Sequence, residues 1–236
     1  MNPTVKPGSS LSKNKVVSAP LERKKLTQQI YDELERQIMT GSLSPGSKLS
    51  ESEVAEVFGV SRSPVREAII ELERMGFATR TGPRDRIVAK PTVESIRDFF
   101  ETWWILDVGR IYQASVQADE GDHVLLRNVI TDLECALDSD EGSRVSELLE
   151  KFHRILYGRA QNRLLDRIAA ENGKYLKWLT QLYLANYEDS PIWREEHRAI
   201  AAAFIDRDLP GLVDSLRRHI LRQGEQIIQG LKFLED

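Results

Sequence analysis

The 236-residue sequence contains one cysteine, Cys135, and no apolar run long enough to cross a membrane. A single cysteine cannot form a disulfide within the chain, and the polar start at residues 1–20 lacks the apolar core of a secretory signal. A membrane-spanning helix needs about 20 consecutive apolar residues. These absences predict a cytoplasmic protein that has no membrane partner.

Charge is divided unevenly along the chain. Residues 1–90 hold 15 lysines and arginines against 11 acidic residues, a net charge of +4, whereas residues 91–236 hold 18 against 26, a net charge of −8. The overall charge of −4 therefore hides a basic front, which suits contact with phosphate, and an acidic back, which suits another task.

The length favours two domains, because one ordinary domain takes about 100–200 residues. We predict a mainly α protein with a flexible tail over 1–20, a winged helix-turn-helix DNA-binding domain over 21–91 and an all-α six-helix bundle over 92–236. The tail is rich in Ser, Pro, Gly, Asn and Lys, and it cannot bury enough apolar surface to become ordered.

Capping and turn residues mark the elements of the front domain. Apolar residues at every fourth position predict a first helix over 26–41. A Ser-x-x-Glu capping box predicts a second helix over 51–58. Ser63 as N-cap, with a proline after it, predicts a third helix over 64–75. Two strand-like segments around a Gly-Pro turn predict a hairpin over 77–90, which completes a winged helix-turn-helix.

The start of the third helix carries side chains that suit DNA. Arg62 and Arg66 lie four residues apart, opposite an apolar stripe, and a guanidinium can donate two hydrogen bonds to guanine or clamp a phosphate. The alternative is an ordinary solvated face, which the order of caps and turns disfavours. The hairpin tip, with Arg80, Arg84 and Arg86, is the predicted wing, and the alternative is a structural turn without DNA contact. The predicted DNA-binding residues are Ser61, Arg62, Ser63, Arg66, Lys48, Gly82 and Arg84.

No strand pattern follows Pro91, and helical periods separated by short polar breaks predict an all-α domain. The predicted helices span about 93–117, 121–138, 143–160, 163–184, 192–206 and 209–231.

Three of the four histidines, His153, His197 and His219, follow the apolar stripes of their helices. Imidazoles that converge from facing helices can bind a divalent metal, and three of them with an open position suit Zn²⁺ or Ni²⁺. The alternative is that each histidine is buried and bonded to a carboxylate, such as that of Glu196.

The front motifs resemble those of the GntR family of bacterial transcription regulators. The resemblance covers about 26–90 and is carried by PGSKL at 45–49, EVA at 53–55, GVSRSPVREA at 59–68 and LERMGF at 72–77. It implies that Arg62 and Arg66 contact a palindromic operator DNA and that the regulator is a homodimer. Ser52 stands where some members carry a third arginine that contacts DNA.

The motifs FHR, EHR and RHI around the three histidines resemble the FCD effector domain of the FadR-like branch, and six helices resemble its VanR-type subgroup. The resemblance spans roughly 93–230 and implies a small organic acid effector and a divalent metal, Zn²⁺ or Ni²⁺. Leu149 stands where metal-binding members usually carry an aspartate, and its side chain cannot bind metal. Glu150, three residues before His153, shares its helical face and could substitute, and the alternative is that water or an effector carboxylate fills the place.

A stripe of mixed polarity on the first helix of the back domain predicts a pocket wall. Arg110 can bind a carboxylate while Trp103 stacks on a ring, so we expect an aromatic or heterocyclic acid. Trp103 stands where many FCD members present an arginine. Core packing is the alternative role for Trp103. The predicted effector-binding residues are Trp103, Asp107, Arg110, Glu150 and Arg222.

These patterns predict a ligand-responsive DNA-binding regulator, a repressor that is released by its effector, and not an enzyme. The alternatives are a metal-dependent hydrolase built on the three histidines, with Glu150 as base, and a metal sensor that has no organic effector. Neither a Ser-His-Asp set nor a glycine-rich nucleotide loop accompanies the histidines, which disfavours the hydrolase.

Overall fold

The computed structural model of the protein describes residues 21–83, 85–139, 141–183 and 191–235. The predicted tail at 1–20 and Arg84 lie outside these residues. The described elements are, in chain order, α1 (Leu21–Met39), α2 (Glu51–Phe58), α3 (Arg62–Arg74), β1 (Ala78–Arg80), β2 (Arg86–Val88), α4 (Val93–Gln117), α5 (Glu120–Asp138), α6 (Gly142–Tyr157), α7 (Arg163–Tyr183), α8 (Pro191–Ile205) and α9 (Leu209–Glu235).

The predicted winged helix-turn-helix is confirmed, and its core lies between α1 and α3. The stripe of α1 that includes Ile30 and Ile38 is buried against the inward face of α3, on which Val65 and Leu72 are fully buried. Burying each such side chain stabilises the fold by about 1.5–3 kcal/mol. The strands β1 and β2 pair antiparallel, with Ala78 opposite Val88.

The local signals placed α2 correctly and α3 incorrectly. Ser50 Oγ accepts a hydrogen bond from the backbone N–H of Glu53 at 3.4 Å, and Gly59 ends α2 with a left-handed φ of 64°. The predicted N-cap of α3, Ser63, is wrong because the helix begins at Arg62 and its N-cap is Ser61. Pro64 still fits there, since the first N–H groups of a helix have no intrahelical partner.

The back domain is the predicted all-α bundle, and its six helices over the described residues are α4 to α9. The helix α4 packs on α9, α5 packs on α6, and α8 packs on both α5 and α9. Among the predicted ends, that of α6 was too late, because a turn follows Tyr157 and Asn162 then caps the next helix. Asn162 Oδ1 accepts hydrogen bonds from the backbone N–H groups of Leu164 and Leu165.

Aromatic side chains join the two domains. Phe77, which precedes β1, is fully buried, and its ring centroid lies 5.6 Å from that of Trp178 and 6.1 Å from that of Tyr175, both on α7. Phe99 of α4 lies 5.0 Å from Tyr175 and stacks on Trp103 at 6.1 Å. These five rings form what we call the aromatic link.

Candidate functional site

The DNA-facing surface predicted from the sequence is built on the start of α3. Arg62 and Arg66 are both exposed there, whereas the opposite face of the helix is buried. Arg66 is held by α2, because its Nε donates hydrogen bonds to both carboxylate oxygens of Glu51 at 3.0 and 3.1 Å. Ser61 and Ser63 are also exposed at this helix end.

The hairpin places some predicted wing residues outward and one inward. Lys48 is exposed and its Nζ lies 3.9 Å from the Asp85 carboxylate at the hairpin, near the partly buried Gly82. Arg80 is also exposed. Arg86, which the sequence placed on the outer wing, is buried between carboxylates, so that prediction is wrong. The sequence shows the charge of Arg86 but not the packing that buries its side chain beside Glu51 and Glu73.

The α-helical domain contains a partly open cavity of about 560 Å³. Side chains from α4, α6, α7, α8 and α9 line it, and they include six of the predicted site residues together with Leu149. The six are Trp103, Asp107, Arg110, His153, His197 and His219. The stripe on α4 is therefore a cavity wall, as its mixed polarity predicted.

One half of the cavity is a hydrogen-bonded group around Asp107. The carboxylate of Asp107 accepts a hydrogen bond from Tyr157 Oη at 2.8 Å and another from a terminal amino group of Arg110 at 3.2 Å. Burial raises the pKa of Asp107, and these two donors oppose that shift. The Arg110 guanidinium also lies 4.2 Å from the centroid of the Tyr157 ring.

Arg110 retains hydrogen-bonding capacity after these contacts. Its Nε is buried and has no hydrogen-bond partner among the described residues. The carboxylate of Asp166 forms an ion pair with this atom at 3.8 Å, which is too long for a hydrogen bond. A buried N–H without a partner costs about 1–3 kcal/mol. Arg110 lines the cavity, so a carboxylate that bound there could accept a hydrogen bond from its guanidinium.

The other half of the cavity holds the three histidines. The ring centroids of His197 and His219 are 4.6 Å apart, and those of His153 and His197 are 6.5 Å apart. Nδ1 of His197 lies 2.9 Å from the carbonyl oxygen of Trp193, and Nδ1 of His219 lies 2.9 Å from Glu196 Oε2. The carboxylate partner predicted as an alternative therefore exists for His219.

The protein environment lowers the pKa of two of these histidines. Burial lowers the pKa of His197 well below 6.5, and the nearby His219 lowers it further. His153 lines the cavity, and desolvation there, together with the charges of His219 and Arg110, lowers its pKa to about 4. Burial opposes ionisation of Glu196, but hydrogen bonds from His219 and Arg222 prevail and lower its pKa to about 2.

The histidines do not form a metal site in this arrangement. Over the part of the chain that the structure describes, no group of three or more His, Cys, Asp or Glu side chains is close enough to hold an ion. Two imidazoles on one tetrahedral Zn²⁺, with bonds of about 2.0–2.1 Å, would have centroids about 5 Å apart, closer than His153 and His197. Leu149 lines the cavity and offers no ligand.

Two predicted effector residues lie away from the cavity. Arg222 donates hydrogen bonds to both oxygens of Glu196 at 2.6 and 2.5 Å and is not part of the lining. Glu150 is exposed to solvent and is also absent from the lining. On α6 the cavity face follows Leu149, His153 and Tyr157, and Glu150 is rotated away from it by about 100° because a helix has 3.6 residues per turn.

Sequence reasoning missed Tyr157, which contacts both Asp107 and Arg110. A signal was present, because Tyr157 lies four residues after His153 and therefore on the same helical face. Asp166 and Gln223 also line the cavity, and only the packing of α7 and α9 shows this. No described helix has the length and apolar character needed to span a bilayer.

Comparison with known proteins identifies the same two domains. Residues 26–84 match the family described as bacterial regulatory proteins, gntR family, and residues 98–222 match the FCD domain. The chain is 26% identical to the uncharacterized HTH-type transcriptional regulator YdhC of Bacillus subtilis, over 72% of this chain and 77% of the relative. It is 25% identical to the Nta operon transcriptional regulator of Aminobacter aminovorans, over 78% and 86%.

Solved structures share the fold over nearly the whole chain. McbR/YncC of E. coli has a TM-score of 0.59 at 21% identity and covers 89% of this chain and 99% of its own. A putative GntR regulator from a Rhodococcus species has a TM-score of 0.63 at 16% identity, over 87% and 98%. The FCD match covers more than half of the residues, and the chain belongs to the GntR family of transcription regulators, in the branch with an FCD domain. Like the relatives that are named transcriptional regulators, it is a ligand-responsive DNA-binding regulator and not an enzyme.

Proposed function

We propose that this regulator is a repressor that leaves its operator when a small organic acid enters the cavity. The observation that carries the proposal is the buried Nε of Arg110, which has no hydrogen-bond partner among the described residues. Trp103 lines the same cavity, and an aromatic or heterocyclic ring could stack on it. The preferred effector is therefore a ring that carries one carboxylate.

Operator recognition is assigned to the surface around α3 and the hairpin. Arg62 and Arg66 are exposed at the end of a helix that can enter the major groove, and the neighbouring serine hydroxyls suit phosphate. A homodimer would match a palindromic operator, because two-fold symmetry in the protein requires it in the site. Such a regulator works where the chromosome is, in the cytoplasm.

Repression is the preferred direction of control. A relative that is 30% identical over 56% of this chain and 58% of its own is named HTH-type transcriptional repressor RspR, of E. coli. A ligand changes DNA affinity only through unequal affinity for the two conformations. Trp103 belongs both to the cavity and to the aromatic link, so a ligand that displaces its ring would also move contacts that end at Phe77.

A metal sensor is the second candidate, and the histidine contacts favour it. Nδ1 of His197 and Nδ1 of His219 each have a hydrogen-bonding partner, which is how outer-shell groups orient ligands to metal. Zn²⁺ or Ni²⁺ would require His153 to approach the other two rings. Elemental analysis of protein purified without chelator separates the candidates: bound metal at one ion per chain supports the sensor.

The test begins with selection of an operator from random duplex DNA. We expect a short palindrome, and we expect Arg62→Ala or Arg66→Ala to abolish its enrichment. The selected duplex then reports release by a panel of aromatic and aliphatic acids in fluorescence anisotropy. Arg110→Gln should remove the response to the active acid, whereas Arg97→Gln, an exposed arginine on the same helix, should retain it. Response to aliphatic acids alone would refute the ring preference.

A further inference from the structure

Arg86 is the buried centre of the DNA-binding domain's charge network. Its side chain is only 7% exposed, Nε donates a hydrogen bond to Glu73 at 2.7 Å, and a terminal amino group lies 3.8 Å from Glu51. A buried guanidinium is strongly unfavourable unless carboxylates surround it. Glu51 and Glu73 therefore compensate a charge that lies behind the DNA-facing surface.

Each of these carboxylates also holds a second, exposed arginine. Glu51 binds Arg66 on the outer face of α3, and Glu73 lies 3.4 Å from Arg80 on β1. The result is a row of alternating charges, which we call the arginine–glutamate chain: Arg66, Glu51, Arg86, Glu73 and Arg80. Its two ends lie on the helix and on the wing that are expected to contact DNA, and its middle is buried.

The contact with Glu51 leaves both terminal amino groups of the Arg66 guanidinium available for DNA. Both oxygens of Glu51 engage Nε, at 3.0 and 3.1 Å, and neither terminal amino group has a hydrogen bond among the described residues. Recognition of guanine O6 and N7 uses two N–H groups of one guanidinium. A side chain that is already held in place loses less conformational freedom when it binds.

We propose that Glu51 is a positioning residue for base recognition by Arg66, and that buried Arg86 keeps the Glu51 carboxylate in place. The proposal rests on the assignment of Arg66 to DNA contact made above. Positioning and simple charge repulsion predict different effects of removing the Glu51 carboxylate. A carboxylate near phosphate weakens binding to all DNA, so its loss alone would raise affinity for every sequence, whereas loss of positioning lowers the preference for the operator.

The experiment measures the ratio of affinities for the selected operator and for a scrambled duplex of the same length, by anisotropy at fixed salt. Glu51→Gln keeps the shape of the side chain and removes its charge. We expect this variant to reduce the ratio about tenfold, as the partial loss of one bidentate base contact would. Glu56→Gln is the matched control, because Glu56 is exposed on the same helix and has no ion pair among the described residues.

A double-mutant cycle separates positioning from a general effect on folding. In a background of Arg66→Ala, Glu51→Gln should change the ratio by less than about twofold, because interaction energies vanish once the partner is absent. An equal reduction in both backgrounds would mean a structural role and would overturn the proposal. Thermal melts of each variant check that the domain remains folded.

A second variant tests the buried centre. Arg86→Lys retains the charge but cannot form the same fork between two carboxylates, so it should reproduce the reduced ratio of Glu51→Gln. If Arg66→Ala has no effect on operator binding, the assignment of Arg66 fails and the proposal fails with it. If Arg66→Ala abolishes specificity while Glu51→Gln leaves the ratio intact, only the positioning role is refuted.

Discussion

Replacement of Phe77 by leucine tests whether the aromatic link carries the effector signal. Phe77 is fully buried and its ring packs against Tyr175 and Trp178 of the other domain. Leucine keeps an apolar side chain there and removes both ring contacts. An aromatic pair contributes about 0.5–1.5 kcal/mol beyond area burial, so the two pairs together amount to about 1–3 kcal/mol.

That magnitude equals the usual coupling between two sites. Allosteric coupling free energies are about 1–3 kcal/mol, which corresponds to a change in affinity of about 5–150-fold. We therefore expect the active acid to release the wild-type protein from its operator and to change the affinity of Phe77→Leu by no more than about twofold. Operator affinity without effector should stay within about threefold of wild type, since the helix α3 is unaltered.

The assay is operator binding by fluorescence anisotropy with and without saturating acid, and calorimetry of acid binding to each protein. Phe204→Leu is the control, because Phe204 is fully buried in the α-helical domain and its aromatic neighbour is His123, outside the aromatic link. It should lower stability and retain the response. Full release of Phe77→Leu by the acid would refute the role of the aromatic link.

Three further predictions concern folding. Because the pKa of His197 is lowered by folding, the unfolded chain binds a proton below pH 6.5 that the folded chain does not. The free energy of unfolding should therefore fall as the pH drops from 7.5 to 5.5. Urea titrations of His197→Asn should show a shallower fall. Leu72→Ala should cost about 2–5 kcal/mol in the same titration, because the side chain is fully buried; a cost below 1 kcal/mol would contradict the core described above. Gly59→Ala should lower the free energy of unfolding by about 1 kcal/mol through the φ of 64° alone, since no atom lies within 4 Å of an added Cβ. Gly142→Ala is the control, because this position has equal space and no positive φ, and it should not lower the stability.

The sequence was sufficient for those features that depend on near neighbours. Helical periods and the capping residues at Ser50 and Gly59 act over a few residues, so the order of elements and the end of α2 could be predicted. The start of α3 could not, because Ser61 and Ser63 are equally good N-caps in isolation and packing of the helix decides between them.

The tertiary structure decided which polar side chains share a site. Arg86 and Arg80 both appear as wing charges in the sequence, yet burial against two carboxylates distinguishes the first. Arg222 and Arg110 both suit an acid, but Arg222 is held by Glu196 away from the cavity, whereas Arg110 lines the cavity and retains a buried N–H without a hydrogen-bond partner among the described residues. Such differences depend on residues distant in the chain, whose positions no local pattern encodes, and they determine where a ligand can bind.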